Sequence, residues 1–243
     1  MTLSLERKRK TLGVIGGLGP LATAYFYERI TDFTEISSEQ EHLEILLYSR
    51  PSIPDRTAAI LDKSAPSPLP GIIDTGRKLC AMGAEVIAMP CVTAHYFYDD
   101  YASAIPAELL HMPRETAAYL RQQGIKRVGI LATDGTVRSG VLESALAEQS
   151  ITSILPLPGG QAAVMDLIYN YVKAGKVPDR RLFEGVAAEL RAKGAEVLLL
   201  GCTELSLLKR QNLEADCLDL LEVLALRSIE RCGGKVRSDV KLI

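Results

Sequence analysis

Two cysteines, Cys91 and Cys202, close residues 83–91 (GAEVIAMPC) and 194–202 (GAEVLLLGC), which share Gly-Ala-Glu-Val and a final Cys at the same internal spacing. Each thiol follows an apolar run with the character of a buried parallel strand, so it falls at a strand's carboxyl end, where open α/β sheets bind ligands. Free cysteines are most often small buried hydrophobes. Two at matched strand ends, each followed by hydroxyl residues, ask for a common chemical explanation. A thiol has a pKa of about 8.5, close enough to neutrality for local positive charge or a helix N-terminus to yield a thiolate. One thiolate and one thiol on opposite faces of a tetrahedral carbon can remove a proton from one side and return one to the other.

Other residues stand where they can serve that chemistry. Thr93 and Thr203 follow the two cysteines at the strand-to-helix turns, where N-capping and contact with an anion are compatible. His95, four residues after Cys91, reads as structural, because a Cys-x3-His pair lacks the further ligands of a metal site. Residues 52–57 (SIPDRT) place Arg56 beside a strand end, suited to bidentate carboxylate capture. Tyr169 and Lys173 lie four apart on one helical face. Residues 16–22 (GGLGPLA) contain G-x-G-x-x-A, but the second strand that follows ends in Tyr-Ser-Arg-Pro with no acid at its tip, so the dinucleotide fingerprint is incomplete. Cys80, Cys217 and Cys232 carry no assigned role, the last two being expected on a C-terminal helix over 213–232.

The elements that must position these groups are short apolar runs at 11–15, 43–48, 85–89, 127–131, 151–155 and 196–200, read as strands. Helix-length amphipathic segments lie between most of them, at 22–33, 71–82, 112–122, 139–149, 162–174 and 179–193. That alternation predicts an α/β fold with right-handed crossovers. A second echo, TLGVIGGLG (11–19) with RVGILATDG (127–135), joins the cysteine echo and points to one α/β unit used twice. The expected organisation is two pseudosymmetric α/β domains, each a mainly parallel sheet flanked by helices, with the site in the cleft between them. Residues 1–114 plus 213–243 form the first, its C-terminal helix packed back, and 115–212 form the second.

At 243 residues, 47% hydrophobic and 24% charged with a net charge of −2, the chain lacks the basic bias of a nucleic-acid binder and the apolar spans of a membrane protein. Its basic start leads into a stretch broken by glycine and proline rather than a signal-peptide core. Five cysteines without a C-x-x-C pair argue against a disulfide framework or a zinc site. A cytoplasmic location follows as the expectation.

Taken in order, GGLGPLAT (16–23), SIPDRT (52–57), PCVTAH (90–95), the Tyr169/Lys173 pair and GCTEL (201–205) closely resemble the aspartate/glutamate racemase family, its aspartate branch in particular. The resemblance spans about residues 11 to 210. It implies a cofactor-independent amino-acid racemase, commonly a homodimer, with Cys91 and Cys202 as catalytic thiols and a small acidic amino acid as substrate. It also implies substrate recognition by Asp55, Arg56, Tyr169 and Lys173, with Arg56 and Lys173 as carboxylate partners and Thr93 and Thr203 at the α-carboxylate end. A departure is Val92, where the family usually has Asn, which removes an amide near the substrate; a lost hydrogen bond to a charged group is worth about 1.5–3 kcal/mol. Glu204, in place of the His of typical glutamate racemases, argues for the aspartate branch. Two alternatives are an acid-specific isomerase or decarboxylase of the same superfamily, and a non-catalytic small-acid or nucleotide binding module.

Overall fold

Short, continuously apolar and buried runs form the central strands of two sheets. The computed structural model describes residues 9–209 and 216–243. In the first half, strands Leu12–Gly16 (β1), Ile45–Ser49 (β2), Val86–Ala88 (β3) and Glu108–Leu109 (β4) pair in parallel in the order β2-β1-β3-β4. Helices Pro20–Phe33 (α1), Arg56–Leu61 (α2), Leu69–Ala81 (α3), Tyr98–Ala102 (α4) and Met112–Gln122 (α5) connect them or follow. Strands Arg127–Leu131 (β5), Thr152–Ile154 (β6), Val197–Leu200 (β7) and Cys217–Asp219 (β8) repeat the arrangement as β6-β5-β7-β8, again parallel. Their helices are Asp134–Ser139 (α6), Val141–Glu148 (α7), Pro158–Asp166 (α8), Arg180–Ala192 (α9), Ser206–Lys209 (α10) and Leu220–Arg231 (α11). The same strand order in both halves is the structural counterpart of the sequence echoes.

Successive side chains of a strand face opposite sides, and the sheets use both. Leu12 and Val14 of β1 and Val128 and Ile130 of β5 point into one shared core, where α1, α5, α7 and α11 fill the space between the sheets. Ile15 and Ile87 face a separate cluster under α3, while Leu131, Leu198 and Leu200 face another under α8 and α9. Helix α11 packs on α1 and α5. Its Leu220, Leu221, Val223, Leu224 and Ile229 are fully buried, each contributing about 1.5–3 kcal/mol over an exposed side chain. The two halves therefore share an apolar centre and also meet through α2 on α6. At that contact Gly135 is required, since a Cβ there would come within 2.8 Å of the Thr57 hydroxyl.

Every expected strand is present, trimmed or shifted by one or two residues, which is ordinary for element ends. Three helical expectations change. The helix over 213–232 begins only at Leu220, because Asp219 accepts the Leu221 N–H and caps it; Cys217 lies instead in β8, hydrogen-bonded into the second sheet. Position 213 and the division between 212 and 213 lie outside the described residues, as does the basic start over 1–8. The 139–149 helix is divided at Gly140, whose φ of 65° ends α6 before α7 begins. The 162–174 helix starts earlier, at Pro158, and passes into a π-helical turn at Leu167–Val172. Among the described residues no helix is long and apolar enough to cross a membrane.

Candidate active site

The carboxyl ends of both sheets converge on one cavity. Leu18 comes from the loop after β1, Asp55, Arg56 and Thr57 follow β2, and Cys91, Val92 and Thr93 follow β3. From the second half come Thr133 after β5, Lys173 beyond the π-helical turn, and Cys202, Thr203 and Glu204 after β7. The cavity leaves about 20 Å³ of free space for water, room for a single molecule of it. It shares Leu18, Arg56, Lys173 and Glu204 with a neighbouring chamber of about 270 Å³.

The loop after β1 is shaped by Gly17. Its φ is 88°, and a Cβ would collide with the backbone of Arg50 and Pro51. The Thr23 hydroxyl accepts the Gly17 N–H at 3.0 Å and donates to the Gly19 carbonyl at 2.9 Å. The N-terminus of α1, the partial dinucleotide motif of the sequence, thus faces an internal carboxylate: Glu204 Oε1 lies 3.2 Å from where a Gly19 Cβ would be.

On the first side of the cavity Cys91 is 5% exposed. Arg56 stands beside it, but not as the free fork expected from sequence. Its Nη1 donates to the carbonyls of Ile53 (3.3 Å) and Pro54 (3.0 Å), and its Nη2 to that of Leu18 (3.0 Å). The buried Nε–H has no hydrogen-bond partner among the described residues, which leaves it open to the Cys91 sulfur or to a ligand carboxylate. Burial works against the guanidinium charge, yet Cys91, Asp55 and Glu204 outweigh it and hold the Arg56 pKa above its usual value.

The second side has the opposite polarity. Cys202 donates its S–H to Glu204 Oε2 at 2.9 Å, and the Thr203 hydroxyl donates to the same oxygen at 3.3 Å. Burial pushes the Cys202 thiol well up, and the Glu204 charge and hydrogen bond push the same way; the Glu204 N–H and Lys173 oppose them. Cys202 is therefore a protonated thiol. Burial lowers the Lys173 pKa, but Glu204, Tyr169, Cys202 and Asp55 more than compensate and raise it. Its ammonium lies 3.9 Å from Asp55 Oδ2 and 4.1 Å from the Tyr169 ring centroid. Asp55 also caps α2, accepting the Ala58 N–H at 2.8 Å. Tyr169 does not line the cavity: the π-helical turn, a common local device at functional sites, sets its ring under the Lys173 ammonium.

Three threonines tie the halves together. Thr93 Oγ1 lies 2.8 Å from Thr136 Oγ1, which lies 3.1 Å from Thr133 Oγ1. Thr133 accepts the Thr136 N–H as the cap of α6. Of these only Thr93 had been singled out. The T-x-x-T capping spacing just after β5 was the available signal for Thr133 and Thr136, and an acid two residues beyond a strand-end thiol was the signal for Glu204. Val92 is buried and joins the shared apolar core as well as the cavity wall.

His95 is structural. Its Nε2 accepts the Met112 N–H at 3.2 Å, so Nδ1 carries the proton and donates to the Cys91 carbonyl at 2.9 Å. Burial outweighs those bonds and pushes its pKa from 6.5 down to about 4. The unfolded chain takes up this proton near pH 6.5 and the folded one only near 4. Stability is then full above the first value and falls with acidification by about 1.4 kcal/mol per unit. His111, pushed down by burial to about 3, adds a slope of the same sign. Urea midpoints measured between pH 7 and 5 are expected to fall with pH, and less steeply in His95→Gln. An unchanged slope in that variant refutes this account.

The Asp/Glu/Hydantoin racemase family matches residues 15–226. The broad-specificity amino-acid racemase RacX of Bacillus subtilis (strain 168) is 25% identical over 199 residues, 80% of this chain and 86% of that protein. The Picrophilus torridus aspartate racemase structure has a TM-score of 0.83 at 32% identity, covering 95% of this chain and 97% of that one. The glutamate racemase of Francisella tularensis subsp. tularensis SCHU S4, solved with D-glutamate, shares the fold at a TM-score of 0.64 and 15% identity, over 92% of this chain and 81% of that one. Agreement in sequence and fold over nearly the whole length places the chain in the Asp/Glu/hydantoin racemase family, as an isomerase of the racemase type.

Proposed function

We propose that the enzyme racemises aspartate, or a close acidic relative, by a two-base scheme. Cys91, beside Arg56, takes the α-proton as a thiolate; Cys202, held as a thiol, gives its proton to the opposite face of the same carbon. The Cα–H bond breaks as the Cys91 S–H bond forms, and the electron pair left on carbon takes the Cys202 proton, leaving that sulfur as the thiolate. The two thiols supply both base and acid, so the scheme calls on no cofactor. The carrying observation is that two buried thiols line one cavity with a cation beside one and a carboxylate on the other. Thr93, Thr133 and Thr203 are the assigned hydroxyls for the α-carboxylate, with the Arg56 Nε–H and Lys173 for carboxylates and Asp55 and Tyr169 holding Lys173 in place. On family grounds the reading extends to a cytoplasmic homodimer.

A second reading, a broader amino-acid range, has its own support. Asp55 and Glu204 already face Lys173, the Arg56 Nη donors serve backbone carbonyls, and Val92 offers no polar group. The neighbouring chamber is walled in part by Pro20, Leu21, Pro51 and Val172, apolar surface for a longer side chain. Incubating purified protein in deuterated water, without pyridoxal phosphate, with both enantiomers of a panel of amino acids tests both. Aspartate is expected to gain α-deuterium fastest. Faster labelling of uncharged amino acids selects the second reading, and no labelling of any amino acid rejects racemisation.

A further inference from the structure

We propose that Glu204 is the positioning residue for Cys202: its carboxylate accepts the S–H at 2.9 Å and keeps that proton on sulfur in the free enzyme, so that the enzyme rests with Cys202 as the acid and Cys91 as the base, the roles being exchanged for the opposite enantiomer. This rests on the two-thiol reading above and adds to it the reason the two thiols are not equivalent. Although the sequence echo makes the cysteines symmetric, their neighbours break the symmetry. Cys91 has a guanidinium beside it, whereas Cys202 has a carboxylate within hydrogen-bond distance, fixed by a second bond from Thr203 and lodged against Gly19 at the start of α1.

The charged and titratable groups around the pair come from two segments, the π-helical turn and the start of α2. Lys173, backed by Tyr169, faces both Cys202 and Glu204 from the π-helical turn, and Asp55 reaches Lys173 from the cap of α2. Arg56 faces Glu204 and Cys91 from the first turn of α2. After proton donation the Cys202 thiolate confronts the Glu204 carboxylate, with Lys173 facing both as a balancing charge. Like charges at this range disfavour the ionised pair. The sulfur therefore regains a proton from water, or from the α-carbon of the opposite enantiomer, while Cys91 gives up the one it took. One proton is gained and one lost, and the starting form is restored.

Because the two enantiomers are equal in free energy, kcat/KM is the same in both directions at every pH, and its profile reports the ionisations of the free enzyme. Glu204→Gln is expected to move the alkaline, falling limb of that profile toward neutrality by about one pH unit or more. Glu204→Asp, which keeps the charge but draws it back, moves it less. An unmoved limb in a Glu204→Gln enzyme that still turns over overturns the proposal. Where Glu204→Gln has no measurable turnover, the ultraviolet absorbance of the thiolate is titrated in Cys91→Ser with and without Glu204→Gln. Ionisation at lower pH in the double variant supports the proposal, and identical curves overturn it. Where Glu204→Gln does not fold, Glu204→Asp decides by the same two readouts. If the wild-type protein labels no amino acid at the α-carbon, the racemase reading fails, while the absorbance titration still decides whether Glu204 holds the Cys202 proton.

Discussion

Cys91→Ser and Cys202→Ser are each expected to lower racemisation by about 10²–10⁴-fold, the usual contribution of a positioned acid or base, with melting temperatures close to wild type. A hydroxyl is similar in size to a thiol but far less acidic, so serine fills the space without supplying the base. Both thiols are buried, Cys91 at 5% exposure and Cys202 at 6%, and each substitution changes one atom. Racemisation rates alone do not separate the scheme from its rivals, since forward and reverse kcat/KM must fall together. Loss of α-deuterium exchange, measured separately from each enantiomer, does. Cys91→Ser is expected to stop exchange from the enantiomer that presents its proton to Cys91 while exchange from the other continues, and Cys202→Ser to show the mirror pattern. Full activity in either variant refutes the two-base scheme and favours a single-thiol isomerase or decarboxylase. A binding module without catalysis is excluded by any exchange that depends on these thiols.

The thiol pair was legible because burial forces its strands to be continuous apolar runs, and the duplicated GAEV…C spelled out the second copy. What escaped were features whose signal is shorter than a period or depends on a partner far along the chain. β4 is only two residues long, and β8 runs directly into the apolar start of α11, so the two merged into one expected helix. Glu204 was visible only as a marker of the family branch; its bond to Cys202 depends on a turn geometry that spacing does not fix. Tyr169 and Lys173 were correctly paired by their separation, but the π-helical turn sets the ring behind the ammonium rather than beside the cavity. Arg56 was found by residue type and place, while the use of its donors depended on backbone carbonyls that no side-chain pattern encodes.

That use makes Arg56 the second position of large expected effect. Three loops of the first sheet meet at its guanidinium: Leu18 follows β1, Ile53 and Pro54 follow β2, and Cys91 follows β3. The residue thus sets the relative positions of three strand ends while placing positive charge beside one thiol. Lysine keeps the charge but lacks the planar fork that reaches carbonyls on two loops at once. Arg56→Lys is expected to lose at least about 1.5 kcal/mol of stability, the value of one hydrogen bond made by a charged group. Its kcat/KM is expected to fall by about 10²-fold or more, as when one preorganised donor leaves a catalytic site. Arg56→Ala removes charge and geometry together, so the gap between the two variants measures what the charge alone contributes. If Cys91 needs the cation, alanine is the slower enzyme by a further factor of ten or so, since 1.4 kcal/mol is tenfold in rate. If the guanidinium acts only as a brace for the loops, the two variants lose activity equally, in proportion to their lost stability in urea. Wild-type kcat/KM in Arg56→Ala refutes both roles.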